Sequence, residues 1–272
     1  SVGILVTCLV SRVNSGRIEC HGFPCTFLED SPHRITHLTK IFLQIKQLSI
    51  YKVTYSFQFR DVLAQKEAIF DGLMITLQLS AITISLGFIL GIAVAVSLVY
   101  GSAWLRGLGR AYVEVIRNTP LIVQLFLIFF GLPGVGIELD VMTASVLALT
   151  INLGAYTAEI VRAGIESIPK SQIEAGISLG LKRRQIFRHV VLIPALKNVY
   201  PSLSSQFVLM MLATSVVSQI SAPDLFHTAS IIQSRTFRDF EVYIVVSLLY
   251  LSLTLLLRGG FSLCYHLVFR RT

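Results

Sequence analysis

From residue 72 to residue 105 the sequence carries no charged side chain, and the same holds for 118–137, 141–158, 198–223 and 242–257. A bilayer core takes roughly 17–25 apolar residues of helix. Helices are favoured there because hydrocarbon offers no partner to an unpaired backbone amide, and a helix pairs its amides internally. Four of the runs are long enough. The fifth reaches that length if Arg258 extends its charged head to an interface. The expected fold is therefore an all-α membrane protein with about five transmembrane helices.

The composition agrees, with 14% charged residues against about 25% in soluble domains. The net charge of +8 would suggest nucleic acid as a partner in a soluble protein. Here no face interleaves basic and aromatic residues, and the charge-free runs require lipid, so nucleic acid is excluded as a partner. The basic residues fall in loops, where they set orientation. Arg106, Arg110 and Arg117 separate the first two spans. Arg162, Lys170, Lys182, Arg183, Arg184, Arg188 and Lys197 separate the third and fourth, and Arg258, Arg270 and Arg271 follow the fifth. The opposite loops hold only Arg235 and Arg238. The expected topology has the N-terminus outside and the C-terminus in the cytoplasm. The basic residues ahead of the first span run against it, although long tails obey the rule poorly.

Residues 1–53 read as an atypical extension, and 54–272 as the transmembrane domain. The extension contains Cys20-x4-Cys25 and His33-x3-His37, which imitate a zinc site. The seven-residue gap between the pairs is too short for a finger, so no metal is expected. Leu38, Ile41, Phe42, Ile45 and Leu48 share one helical face. They form either a short interfacial helix or part of an upstream segment outside the working protein.

Within the spans the polar residues are informative, because such groups usually face other helices or a wet path. Asn152 lies near the middle of the third span and Gln124 early in the second. Each serves the path or bonds across a helix interface. Glu159 and Arg162 are spaced as an i,i+3 ion pair at the membrane edge. Pro120 follows Arg117-Asn118-Thr119, and a residue before proline is driven out of helical geometry. The second span is expected to restart at Pro120, after a separate amphipathic helix near 105–116. Broken backbone in a membrane is tolerated where it is buried or lines a cavity, so 118–124 is a candidate path wall.

The cytoplasmic loop 163–189 reads as two short amphipathic helices, with apolar stripes broken by Glu174, Lys182, Arg183, Arg184 and Arg188. Gly180 allows a sharp turn between them. Such a loop can plug into a soluble partner and pass on its movement, or lie on anionic lipid headgroups.

Here the sequence resembles the integral-membrane permeases of bacterial binding-protein-dependent ABC importers, in their polar amino-acid branch. Their loop motif is Glu-Ala-Ala, three residues, Gly, nine residues, Ile, one residue, Leu-Pro. This chain has Glu174-Ala175-Gly176, then Gly180, then Val190-Val191-Leu192. It departs in having Gly176 for alanine and in placing Pro194 one residue late, after Ile193. Arg117-Asn118-Thr119-Pro120, Gln124, Phe130-Gly131-Leu132-Pro133, 152–162, Thr214-Ser215 and 233–237 also resemble that branch.

The resemblance implies a type I ABC importer permease in the bacterial inner membrane. It would be paired with a second copy or a close relative and served by an extracytoplasmic solute-binding protein. An ATP-binding ABC subunit would dock on Glu174, Ala175, Gly176, Gly180, Arg183 and Arg184, although the two arginines also satisfy the positive-inside rule alone. The implied translocation path includes Asn118, Thr119, Gln124, Asn152, Thr214 and Ser215. No Gly-x4-Gly-Lys-Ser/Thr phosphate loop occurs, so ATP cannot be cradled by that route, and no cofactor is expected. The alternative is an ion-coupled secondary transporter, which would commonly show repeated halves. No repeat and no mid-span carboxylate is found. An enzyme would need clustered catalytic side chains, whereas His189, His227 and His266 are isolated.

Overall fold

The structure, a computed structural model, describes residues 56–269. The Cys20–His37 pattern, the 38–48 face and the rest of 1–53 lie outside the described residues, as do Arg270 and Arg271. Among those described, every regular element is helical. Helix α1 (Arg60–Leu63) leads into α2 (Lys66–Tyr100), α3 (Ala103–Arg117) and α4 (Leu121–Phe126). Then come α5 (Val141–Glu166), α6 (Lys170–Ser178), α7 (Arg183–Gln185), α8 (Ile193–Ala213), α9 (Leu225–Thr236) and α10 (Asp239–Phe269).

Among the described residues, four helical stretches are long and apolar enough to cross a membrane: Lys66–Tyr100, Val141–Glu166, Ile186–Ile220 and Asp239–Phe269. A fifth crossing arises if the bent pair Ala103–Arg117 and Leu121–Val135 counts as one span. The helices outrun the charge-free runs. The first begins at Lys66, before Asp71, and the last continues eleven residues past Arg258 to Phe269.

The first span packs chiefly along α5, with Gly87 and Gly91 set against it; Gly72 and Thr76 meet the start of α9, and Ser80 and Thr83 are buried between. Small residues suit this seam, since helices in lipid gain little from apolar side chains and much from close backbone approach. Two of the span's buried hydroxyls are paired, Thr76 donating to the Gly72 carbonyl at 3.0 Å and Ser80 to the Thr76 carbonyl at 2.7 Å, whereas the buried Thr83 hydroxyl has no hydrogen-bond partner among the described residues. A core of Leu79, Leu125, Leu149, Leu153, Met210 and Val217 fills the junction of the first, second, third and fourth spans. A separate cluster of Val62, Ile69, Leu225, Ile232, Val242 and Val246 joins α9 to the first and last spans.

Helix starts are set by local capping. Asp140 accepts hydrogen bonds from the amides of Met142 (3.1 Å) and Thr143 (3.0 Å) at the start of α5, as an N-cap carboxylate does. Hydrogen bonding from Thr143, side chain and backbone, holds its carboxyl below the usual range. Asp224 caps α9 and is buried; its Oδ1 accepts from the His227 amide at 2.9 Å. Burial pushes its carboxyl up despite that bond.

The fourth span contains a π-helical turn, Ile186–Leu192, directly before α8. Pro194 has no amide hydrogen to donate, and Ile193 adds a residue where the loop motif has none. A single extra residue in a helix is commonly absorbed as a π-bulge. The late proline therefore leaves the span helical and continuous.

Candidate translocation path and coupling loop

The candidate path wall is built around the break at Pro120. Helix α3 ends at Arg117, Pro120 takes an extended conformation, and α4 leaves at 107° to α3. Such a break frees carbonyls that an unbroken helix would pair. Gln124 collects them: its Nε2 donates to the Ile116 carbonyl at 2.8 Å, the Thr119 carbonyl at 3.1 Å and the Thr119 hydroxyl at 2.7 Å. Its Oε1 accepts from Asn152 Nδ2 at 3.0 Å. Both side chains are buried. Gln124 thus splints the broken helix and fastens it to the third span.

A cavity of about 640 Å³ opens beside this splint, lined by Arg117, Asn118, Thr119, Asn152, Tyr156 and Gln206 among others. Four of the sequence-predicted path residues, Asn118, Thr119, Gln124 and Asn152, therefore come together, with Gln124 behind the wall. Thr214 and Ser215 do not join them. Thr214 is buried and donates to the Met211 carbonyl, and Ser215 donates to the Leu212 carbonyl. Both stabilise the 3₁₀ turn Thr214–Ile220 that ends the fourth span. Gln206 was missed because nothing marks which face of the fourth span meets the cavity.

A second cavity, about 580 Å³, is lined by Arg110, Glu114, Arg117, Glu159, Arg162 and Glu166. The i,i+3 spacing of Glu159 and Arg162 does produce an ion pair. The network is wider than that: Arg162 also binds Glu166, and Arg117 lies 3.8 Å from Glu159 and 5.4 Å from the centre of the Tyr156 ring. Arg117 borders both cavities. These groups are partly exposed, with Arg162 at 31% and Glu166 at 54%, so each pair contributes about 1 kcal/mol or less. Arg162→Met, which removes two pairs, is expected to lower the unfolding midpoint in detergent more than Glu166→Gln, which removes one. Equal shifts would show that Arg162 is not the centre of the network.

On the loop, α6 ends in a Schellman arrangement. Gly180 adopts φ +73°, its amide donates to the Ile177 carbonyl (2.9 Å), and the Leu181 amide donates to the Gly176 carbonyl (3.1 Å). This pattern favours glycine at the left-handed position. Gly176 is buried against Ile186, and a Cβ there would lie 3.2 Å from Ile186 Cγ1. A methyl group there would need Ile186 to give way by a few tenths of an ångström. Ile168, Ile186, Val191 and Ala195, with Ile165, Ile173 and Leu181, form the cluster that seats the loop on the spans. The loop's second helix is not separate, because α7 runs through the π-helical turn into the fourth span. Glu174, Ala175 and Arg184 are exposed, as are Ile177 (61%) and Leu179 (79%). The apolar stripe therefore splits: Ile173 and Ile186 face the spans, and Ile177 and Leu179 face away.

Comparison with known proteins agrees with this architecture. Residues 87–266 match the family described as binding-protein-dependent transport system inner membrane component. The chain is 42% identical over 190 residues to the probable glutamine ABC transporter permease protein GlnM of Bacillus subtilis (strain 168), covering 70% of this chain and 88% of that relative. It is 36% identical over 201 residues to the L-cystine transport system permease protein TcyB of the same organism, covering 74% and 84%. Among solved structures, an amino acid ABC transporter crystallised with histidines superposes with a TM-score of 0.74 at 36% identity, covering 79% of this chain and 100% of that one. The chain belongs to the family of binding-protein-dependent transport system inner membrane components, the multi-pass permeases of ABC importers.

Proposed function

We propose that this permease imports polar amino acids, forming the path as a dimer with a second copy or a close relative while a separate ATP-binding subunit drives it. The observation that carries the reading is the coupling loop: a nine-residue helix, closed by a glycine turn and seated on the spans by an apolar cluster. Its outer side offers Glu174, Ala175, Ile177, Leu179 and Arg184. Ile177 and Leu179 supply apolar contact to the ATP-binding subunit, and Glu174, Arg183 and Arg184 supply charge. Because the loop continues into the fourth span through the π-turn, a push on α6 reaches the path as rigid-body movement of packed helices. The loop lies on the cytoplasmic side with the C-terminus, and an extracytoplasmic solute-binding protein delivers substrate at the other face.

The amino-acid substrate is supported by the names of the relatives and by the chemistry of the cavities. Arg117 suits a carboxylate, Glu159 an ammonium group, and Asn118, Asn152 and Gln206 suit a polar side chain. Family membership favours ATP-driven import over the ion-coupled alternative.

The test is radiolabelled amino-acid uptake into proteoliposomes carrying the permease with its ATP-binding subunit and solute-binding protein. Uptake is expected to require ATP in the compartment of the ATP-binding subunit. Gly180→Pro, which cannot adopt positive φ, is expected to lower it by about tenfold or more without loss of membrane insertion. Glu174→Ala is expected to lower it as well. Uptake that follows an ion gradient without ATP, and is indifferent to both substitutions, would overturn the reading.

A further inference from the structure

The two cavities described above do not use the one arginine of the last span. Arg258 stands within α10, which is helical without interruption from Asp239 to Phe269. It borders a third cavity, about 390 Å³, wedged between α8 and α10 and lined by Tyr200, Ser204, Ser205, Ser262 and Tyr265. The wedge is held at a fixed width. Tyr200 donates its hydroxyl hydrogen to the Phe261 carbonyl at 2.8 Å, its ring lies 5.4 Å from that of Tyr265, and Phe207 and Phe261 meet at 5.9 Å.

A guanidinium on a membrane-spanning helix is costly without a counter-charge. Neither flanking segment supplies one, since residues 175–223 and 242–272 contain no aspartate or glutamate. Among the described residues Arg258 forms no ion pair. The hydroxyls of Ser205 and Ser262 are exposed, so the wedge offers one cation and hydroxyl donors with no acid. Beside it Leu255, Leu256, Leu263 and Leu267 are exposed on α10, where acyl chains would lie.

We propose that this wedge binds the phosphodiester headgroup of an anionic membrane lipid. Arg258 neutralises the phosphate and Ser205 and Ser262 donate to its oxygens. The acyl chains run along the exposed leucines, and Tyr200 and Tyr265 flank the headgroup. Basic pockets between membrane helices suit anionic headgroups on these electrostatic grounds. The lateral exposure to leucines selects a lipid rather than a free phosphate. Such a lipid would tie the last helix to the fourth span, which carries the coupling loop.

The test is native mass spectrometry of the full chain in mild detergent, titrated with dioleoyl phosphatidylglycerol or dioleoyl phosphatidylcholine. The wild type is expected to retain phosphatidylglycerol in preference by about fivefold, the discrimination that one basic side chain gives near an anionic surface. Arg258→Gln is expected to abolish that preference and Arg258→Lys to keep most of it. Ser205→Ala with Ser262→Ala is expected to reduce it, and carries the test together with the lysine variant if Arg258→Gln does not fold. Glycerol phosphate and inorganic phosphate are expected not to displace the lipid. No preference in the wild type, an unchanged preference in the glutamine or double-serine variant, or displacement by free phosphate would overturn the proposal.

Discussion

Gly164→Ala is expected to destabilise the permease by about 1–3 kcal/mol, the usual cost of forcing volume into a packed contact. Gly164 lies on α5 where it crosses α8, and a Cβ there would overlap Val199 Cγ1, with the Ala195 carbonyl oxygen 3.5 Å away. Val199 is buried at 6% exposure and β-branched, so its χ1 has little freedom to turn aside. The strain falls at the crossing that joins the third span to the helix carrying the coupling loop. Val199→Ala alone removes methyl groups and is expected to cost less. Combined with Gly164→Ala it should recover much of the loss, giving a coupling of about 0.5–3 kcal/mol in a double-mutant cycle. The readout is thermal unfolding in detergent. Strict additivity would mean that the two helices already have room for a methyl group.

Gln124→Leu is expected to be comparably damaging for the opposite reason, by leaving polar groups unpaired. The substitution removes four hydrogen bonds, strands the Thr119 carbonyl and the Asn152 amide, and leaves the Ile116 carbonyl only a longer bond (3.4 Å) from the Thr119 hydroxyl. Single hydrogen bonds between membrane helices average only about 0.6 kcal/mol, but buried groups left without a partner cost about 1–3 kcal/mol. The expected loss is about 2–3 kcal/mol for Gln124→Leu. Asn152→Leu should cost less, since it leaves only one acceptor of Gln124 unmet. Transport should follow the same order, because Gln124 sets the angle at which Asn118 and Thr119 enter the cavity. Equal losses for the two variants would place the splint elsewhere.

The two substitutions probe contacts of different legibility. The break itself was written in Asn118-Thr119-Pro120, because proline acts on its immediate neighbours. That Gln124 would gather the freed carbonyls is partly local too, since Ile116 and Thr119 lie eight and five residues away. Its bond to Asn152, 28 residues on, has no local sign. The positive-φ turn at Gly180 was similarly readable from the loop pattern. The division of that loop's apolar residues into seated Ile173 and Ile186 and outward Ile177 and Leu179 was not, because one stripe can face either a span or a partner.

The late proline shows the same boundary. The motif spacing marked Ile193 as one residue too many, and only the backbone revealed that a π-turn takes it up. Thr214 and Ser215 mark it from the other side: their chemistry suited a path, but their hydroxyls bond within their own helical turn.

By itself, then, the sequence determined the spans, the break at Pro120, the turn at Gly180 and the family. Each of these rests on charge-free length or on backbone restriction within a few residues. The tertiary structure decided which helix faces meet: Gly164 against Val199, Arg117 beside Glu159, and Arg258 opposite Ser205. In a soluble helix the polar face tells the outside from the inside, but in a span every face is apolar. The choice of neighbours then rests on shape and on a few buried polar groups, whose partners lie far away along the chain.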